Sequence, residues 1–172
     1  MRRLTAKARG LSTSIVRPTV PSHGYLVTSV TRMSPAAVAS DASFAAYSSC
    51  LDVLTGDART AVQAIRAQER SHAAALAKAI EDLGGTPPPG RSRAEYERTF
   101  PMLRTADDAL RFAEDLEERQ VRAYLEAVTE FPALELRLRA AGLCADEANH
   151  LGAVRVLQGL PAAQGPFVTG AL

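Results

Sequence analysis

Hydrophobic residues recur every three or four positions along four segments of the chain, and this spacing predicts four amphipathic helices. The pattern is clearest in the fourth segment, where it marks one face of a helix packed in a bundle. That face consists of Leu136, Ala140, Leu143, Glu147, His150, Val154 and Leu157. Two of the seven positions are polar, because Glu147 and His150 stand three residues apart within the apolar face.

The second segment has the same arrangement, with Glu69 and His72 three residues apart on its apolar face. The third segment carries one carboxylate on that face, Glu117, seven residues before Tyr124. In the first segment Ser40 stands at the comparable place, seven residues before Tyr47. We therefore predict that the chain is an internal duplication of a two-helix unit.

Local signals predict where these helices begin and end. Ser34-Pro35 is typical of a helix start, and Gly84-Gly85 is typical of a helix end. The predicted helices span about 35–54, 58–83, 106–130 and 132–158. We expect residues 84–104 to form a long connection between the second and third helices, with a short helical segment near 94–100.

This order of elements predicts an all-α fold, an antiparallel four-helix bundle formed as one domain by residues 34–160. The 172 residues are enough to bury the core of such a domain. Residues 161–172 are expected to form an irregular C-terminal tail. Residues 1–33, rich in Arg, Ser and Thr, are expected to be a disordered or targeting N-terminal arm, or to precede a translation start at Met33.

Charge is divided unevenly along the chain. The first 40 residues contain six basic side chains and no acid, which leaves 14 of the 20 basic residues beside all 19 acidic ones, a net charge of −5. An acidic body argues against binding to nucleic acid. No apolar run reaches the roughly 18 residues of a membrane-spanning helix, so no membrane contact is expected. We expect a cytoplasmic protein, with export or organelle import left open by the arm.

Carboxylates on apolar helix faces need a cation, because burying an unpaired charge costs much free energy and clustered carboxylates repel one another. A divalent metal ion supplies the charge and accepts both oxygen and nitrogen ligands. Together Glu and His favour iron, as one or two ions, or manganese over calcium. The alternative for a single pair is a core His bonded to its Glu. The predicted metal ligands are Glu69, His72, Glu117, Glu147 and His150.

These motifs resemble those of the ferritin-like di-iron carboxylate superfamily, in which two helices each give a Glu and two others each give Glu-x-x-His. Within it, the chain is most similar to the bacterial ferritin-like domain family that includes desiccation-related proteins. The resemblance covers about residues 35–168 and implies a ferritin-like bundle with a metal centre; a homo-oligomer stays open. The motifs that carry it lie at Gln68–His72, Leu83–Pro87, Leu116-Glu117, Ala123–Leu125 and Asp146–His150.

One position departs from the family pattern. Ser40 stands where the first helix of the family has a Glu, and the resemblance implies that this Glu would serve the same metal as Glu69 and His72. The set formed by Glu117, Glu147 and His150 is complete. We therefore expect one firmly bound metal and a second site that is weak, absent, or completed by the neighbouring Asp41, by water or by another anion.

Three classes of function follow. The first is a ferritin-like metal-binding protein with possible iron oxidation or oxygen and peroxide handling, which would make it a metal-dependent oxidoreductase. The second is a metal-free ferritin-like stress or interaction protein. The third is a small-molecule binder with a polar cavity beside Ser40. The paired Glu-x-x-His motifs favour the first class.

Overall fold

The computed structural model describes residues 23–165, which form five α-helices and no β-strand. The helices are α1 (His23–Cys50), α2 (Gly56–Asp82), α3 (Arg93–Glu97), α4 (Ala106–Glu130) and α5 (Leu134–Leu157). Helix α1 packs against α2 and α4, and α5 packs against α4 and α2. The predicted all-α four-helix bundle is confirmed, and α3 lies in the long connection between the second and third helices of the bundle.

Local side-chain and backbone contacts define the helix ends. At the start of α4 the Thr105 hydroxyl accepts from the Asp108 amide, and the Asp108 carboxylate accepts from the Thr105 amide. At the end of α2 the amide of Gly85 donates to Ile80 O at 2.9 Å. Gly84 has a φ of +76°, which a residue without a side chain adopts readily. The predicted bounds of α2, α4 and α5 are correct to within two residues.

The predicted start of the first helix is wrong. Helix α1 begins at His23, and Pro35 lies inside it. An internal Pro removes one helical hydrogen bond and costs about 3 kcal/mol. Packing of the preceding turns offsets this cost, because Met33 is buried and Val30 packs against the apolar cluster that contains Ile80. The predicted arm therefore contributes its last eleven residues to the bundle, while residues 1–22 and 166–172 lie outside the described part of the chain.

Two apolar clusters lie on either side of a polar layer in the middle of the bundle. One cluster joins the C-terminal half of α1 to the N-terminal parts of α2 and α4 and to Val154 of α5. The other joins the N-terminal half of α1 to the C-terminal part of α2 and the start of α5. Among residues 23–165, none of the helices has the length and hydropathy needed to cross a membrane.

The contact between the first turns of α1 and the end of α2 can be tested at Gly85, which lies against Val30. A Cβ atom at this position would lie 2.7 Å from both γ-carbons of Val30 and 3.0 Å from Cγ2 of Ile80. Because Val is branched at Cβ and rotates little, Gly85→Ala forces the start of α1 away from α2. We expect a loss of about 1–3 kcal/mol in the free energy of unfolding, measured by urea titration.

Gly142→Ala is the matched control. Gly142 lies within α5, and a Cβ atom there meets no other atom within 4 Å. The substitution should raise the free energy of unfolding by about 0.5–1 kcal/mol through helix propensity. Equal effects of the two substitutions would contradict the packing of Val30 against the end of α2.

Candidate metal centre

Four buried polar side chains from three helices converge in the polar layer. They are Glu69 of α2, Glu117 of α4, and Glu147 and His150 of α5, and one ligand atom from each lies within 4.8 Å of all the others. The three Glu residues have no exposed surface, and His150 is 4% exposed. Spacing of three residues places Glu147 and His150 on the same face of α5, as the sequence predicts.

His150 lies between the carboxylates and an amide. Its Nδ1 is 3.1 Å from Glu147 Oε2, 3.2 Å from Glu69 Oε1 and 3.7 Å from Glu117 Oε1. Its Nε2 is 2.5 Å from the side-chain oxygen of Gln68. Since that oxygen only accepts hydrogen bonds, Nε2 carries the proton and Nδ1 is the nitrogen available to a metal.

His72, the fifth predicted ligand, lies beside this group rather than within it. Its Nδ1 is 3.2 Å from Glu147 Oε1 and 3.7 Å from Glu69 Oε1, and its Nε2 is 3.4 Å from Asp146 Oδ2. The ring stacks on that of His150 with the centroids 5.8 Å apart. Glu69, which the resemblance assigns to the same metal as His72, thus lies closer to His150, at 3.2 Å, than to His72, at 3.7 Å.

Two tyrosines form hydrogen bonds that cross between the predicted repeats. Tyr47 of the first repeat donates to Glu117 of the second. The hydroxyl of Tyr124, of the second repeat, lies 3.1 Å from Ser40 Oγ in the first. The hydroxyl of Tyr47 therefore bonds to a carboxylate of the site, whereas that of Tyr124 does not, because the residue opposite Tyr124 is a buried Ser.

Asp41 does not take the place of the missing carboxylate. Its Oδ2 accepts a hydrogen bond of 2.9 Å from the hydroxyl of Tyr96, which belongs to α3. Successive residues of a helix are separated by about 100°, so Asp41 lies on a different side of α1 from Ser40. The suggestion that Asp41 completes a second metal site is therefore wrong.

Two amides that were not among the predicted site residues, Gln120 and Gln68, support the site. Gln120 is buried, and its Nε2 lies 3.4 Å from Glu147 Oε2 as a donor. Gln68 accepts from His150. Gln120 stands three residues after Glu117, so a Glu-x-x-Gln pair on the apolar face of α4 is the signal that could have identified it.

The ionisation of the group is strongly shifted. Burial opposes the charged imidazoles, but the surrounding carboxylates outweigh it and raise the pKa of His72 to about 10 and that of His150 to about 12. Burial raises the pKa of Glu117 above its ordinary value, and the charge of Glu147 adds to this. For Glu147 the hydrogen bonds from both imidazoles outweigh burial and lower the pKa. Without metal, ion pairs between the protonated imidazoles and the carboxylates therefore stabilise the group.

Several carboxylate oxygens nevertheless lack a hydrogen bond of good geometry. Both oxygens of Glu69, Oε2 of Glu117 and Oε1 of Glu147 are buried and form no hydrogen bond of good geometry with residues 23–165, although imidazole nitrogens lie 3.2 Å from Glu69 Oε1 and from Glu147 Oε1. Such acceptors cost about 1–3 kcal/mol each when left unsatisfied. Three oxygen donors and one nitrogen donor at these distances could hold a metal ion.

A helical bundle with a buried Glu/His group across its middle is the architecture of ferritin-like proteins. The sequence matches the family described as "Ferritin-like domain" over residues 28–160, and the chain therefore belongs to that family. The predicted family resemblance is thus confirmed.

A similar structure is the crystal structure of a conserved hypothetical protein, rv2844, from Mycobacterium tuberculosis. The two share 14% sequence identity with a TM-score of 0.68, over 80% of this chain and 99% of that one. At this identity the likeness shows the fold alone. No curated protein matches the sequence.

The raised pKa of His72 predicts a pH dependence for the metal-free protein. A folded-state pKa of about 10 against about 6.5 in the unfolded chain gives stabilisation that is complete below pH 6.5. It falls as the pH rises and is lost above about pH 10. His72→Gln removes this contribution, so the excess stability of the wild type over the variant should shrink between pH 6 and pH 10.5. Urea unfolding in the presence of a chelator measures it, and a difference independent of pH would contradict the ion pairs of His72.

Proposed function

We propose that this protein binds one divalent redox-active metal ion, iron or manganese, through Glu69, Glu117, Glu147 and His150. The observation that carries the proposal is the set of four buried ligand atoms within 4.8 Å of one another, together with carboxylate oxygens that lack a hydrogen bond of good geometry. His72 belongs to the same site as a neighbouring charge, since it contacts two of the carboxylates.

Charge balance supports one ion rather than two. The three carboxylates carry a formal charge of −3, and one divalent ion with a protonated His72 neutralises it. A second divalent ion would give the buried group an excess of positive charge. It would also lack a carboxylate ligand from α1, because Ser40 occupies that position. Ser40 is fully buried, and its hydroxyl is bonded to Tyr124. Buried sites strongly favour neutrality because desolvating a net charge is costly.

The surrounding residues hold the ligands in place. Tyr47 orients Glu117, Gln120 orients Glu147, and Gln68 fixes the tautomer of His150. Bound iron or manganese would supply one-electron redox chemistry, which is suited to iron oxidation or to the handling of oxygen and peroxide. The two apolar clusters on either side keep bulk water away from this layer.

The metal content of the purified protein tests the proposal. Wild-type protein prepared without chelator, or reconstituted with Fe(II) or Mn(II), should hold about one ion per chain by elemental analysis. Glu117→Gln keeps the shape and the partner Tyr47 but removes the charge, so the content should fall at least about tenfold at limiting metal. Glu126→Gln makes the same change on the exposed side of α4 and should leave the content unchanged.

Two other outcomes of the metal analysis would contradict the proposal of one ion per chain. Two ions per chain would show that a second site forms at His72 without a carboxylate from α1. No metal after reconstitution with either ion would reject the proposal and favour the metal-free alternative, a ferritin-like stress or interaction protein. For that alternative the ion pairs of His72 and His150 with the carboxylates are the supporting observation. A homo-oligomer and a cytoplasmic location remain predictions.

A further inference from the structure

A cavity of about 270 Å³ opens between α2 and α5, next to the polar layer. Its buried walls are almost wholly apolar and come mainly from Leu76, Ala79, Tyr124, Phe131, Leu136 and Ala140. Tyr124 is the hydrogen-bond partner of Ser40. The sequence suggested a polar cavity beside Ser40, whereas the cavity that reaches Tyr124 is mainly apolar.

The solvent-exposed border of the cavity includes two residues with little or no side chain, Ala75 and Gly142. That border consists of Ala75 on α2 and of Arg139, Gly142 and Asp146 on α5. A side chain begun at Gly142 would meet no atom within 4 Å, so the space in front of it is free. A larger residue at this position would therefore cover the opening without displacing the helices.

The dimensions suit an extended apolar molecule. The volume is nearly twice that of the roughly 150 Å³ apolar cavity that holds a benzene molecule. From Leu136 to Leu143 the cavity follows α5 for about two turns, or about 10 Å. An unbranched chain of about ten carbons has this length. Burying it removes apolar surface from water, which is the main source of affinity in such pockets.

The charges at the opening favour an anionic end group. Asp146 is already engaged, because its Oδ2 lies 3.4 Å from Nε2 of His72. Among residues 23–165, Arg139 has one weak contact, from a guanidinium nitrogen to Glu135 Oε1 at 3.4 Å, and the Glu135 side chain is 79% exposed. Most donors of the Arg139 guanidinium therefore remain available, and their geometry matches a carboxylate.

We propose that this cavity binds an unbranched aliphatic carboxylate of about ten carbons, with the chain between α2 and α5 and the carboxylate on Arg139. The cavity begins one helical turn from His72 and Glu147, since Leu76 and Leu143 stand four residues from them. The proposal goes beyond metal binding and does not depend on it, because no metal-ligand candidate lines the cavity.

Calorimetric titration with sodium decanoate, below its micellar concentration, tests the cavity. Wild-type protein should bind one decanoate per chain. Gly142→Leu should weaken binding at least about tenfold by covering the opening, whereas Gly142→Ala leaves it open and should bind as the wild type does. Both variants should melt no lower than the wild type, since each replaces a helical glycine. Wild-type protein that does not bind decanoate, or Gly142→Leu that binds it equally well, would overturn the proposal.

A second pair of measurements tests the end group. Arg139→Gln should weaken decanoate binding about tenfold, and Arg111→Gln, at an exposed Arg of α4, should not change it. Decyltrimethylammonium, which reverses the charge on the same chain, should bind at least about tenfold more weakly than decanoate. Equal binding of the cation would overturn the anionic assignment. Metal content should be the same in Gly142→Leu and in the wild type, so failure here is distinct from failure of the metal site.

Discussion

Three carboxylates buried in one layer of a helical bundle require positive charge within a few ångströms, because burial removes them from bulk water. Two imidazoles in the same layer can supply this positive charge. His72 and His150 lie against the carboxylates, and the pKa values of both imidazoles are raised far above those of exposed histidines. Even so, several carboxylate oxygens form no hydrogen bond of good geometry with the described residues. A layer that is only partly satisfied by its own side chains is well suited to a cation.

This polar layer also ties together the two halves of the bundle. His72 of α2 contacts Glu147 of α5, and His150 of α5 contacts Glu69 of α2. Beyond the layer, an apolar cavity lies between the same two helices, and its lining includes Ala75, Ala79, Ala140 and Gly142. The two helices are therefore joined by charged contacts at one level and border an apolar cavity at the next, beside the candidate metal site.

The periodicity of the sequence predicts most of this arrangement, because a polar residue on an apolar helix face must point into the core. All four members of the buried group, and His72, lie at such positions. The predicted start of α1 is wrong because tertiary contacts override a local signal: Ser34-Pro35 is typical of a helix start, but Met33 is buried and the helix continues on both sides of Pro35. Gln120 was not predicted, because an uncharged amide three residues after Glu117 is a weaker sign of a site than a second carboxylate or a His would be; its role becomes clear from its contact with Glu147.

The asymmetry of the site follows from one comparison between the repeats. Tyr47 bonds to Glu117, while Tyr124 bonds to Ser40 at the equivalent position. The hydroxyls of Tyr124 and Ser40 are both uncharged, so their pair needs no positive charge nearby. Glu117, at the equivalent position beside Tyr47, carries a negative charge when ionised, so its half of the layer needs one positive charge more. On the side near Ser40, a protonated His72 can supply the positive charge. On the side of Glu117, Glu147 and His150, carboxylate oxygens remain that have no hydrogen bond of good geometry with the described residues. The single cation that we propose would therefore lie on the side where the carboxylates outnumber the available protons.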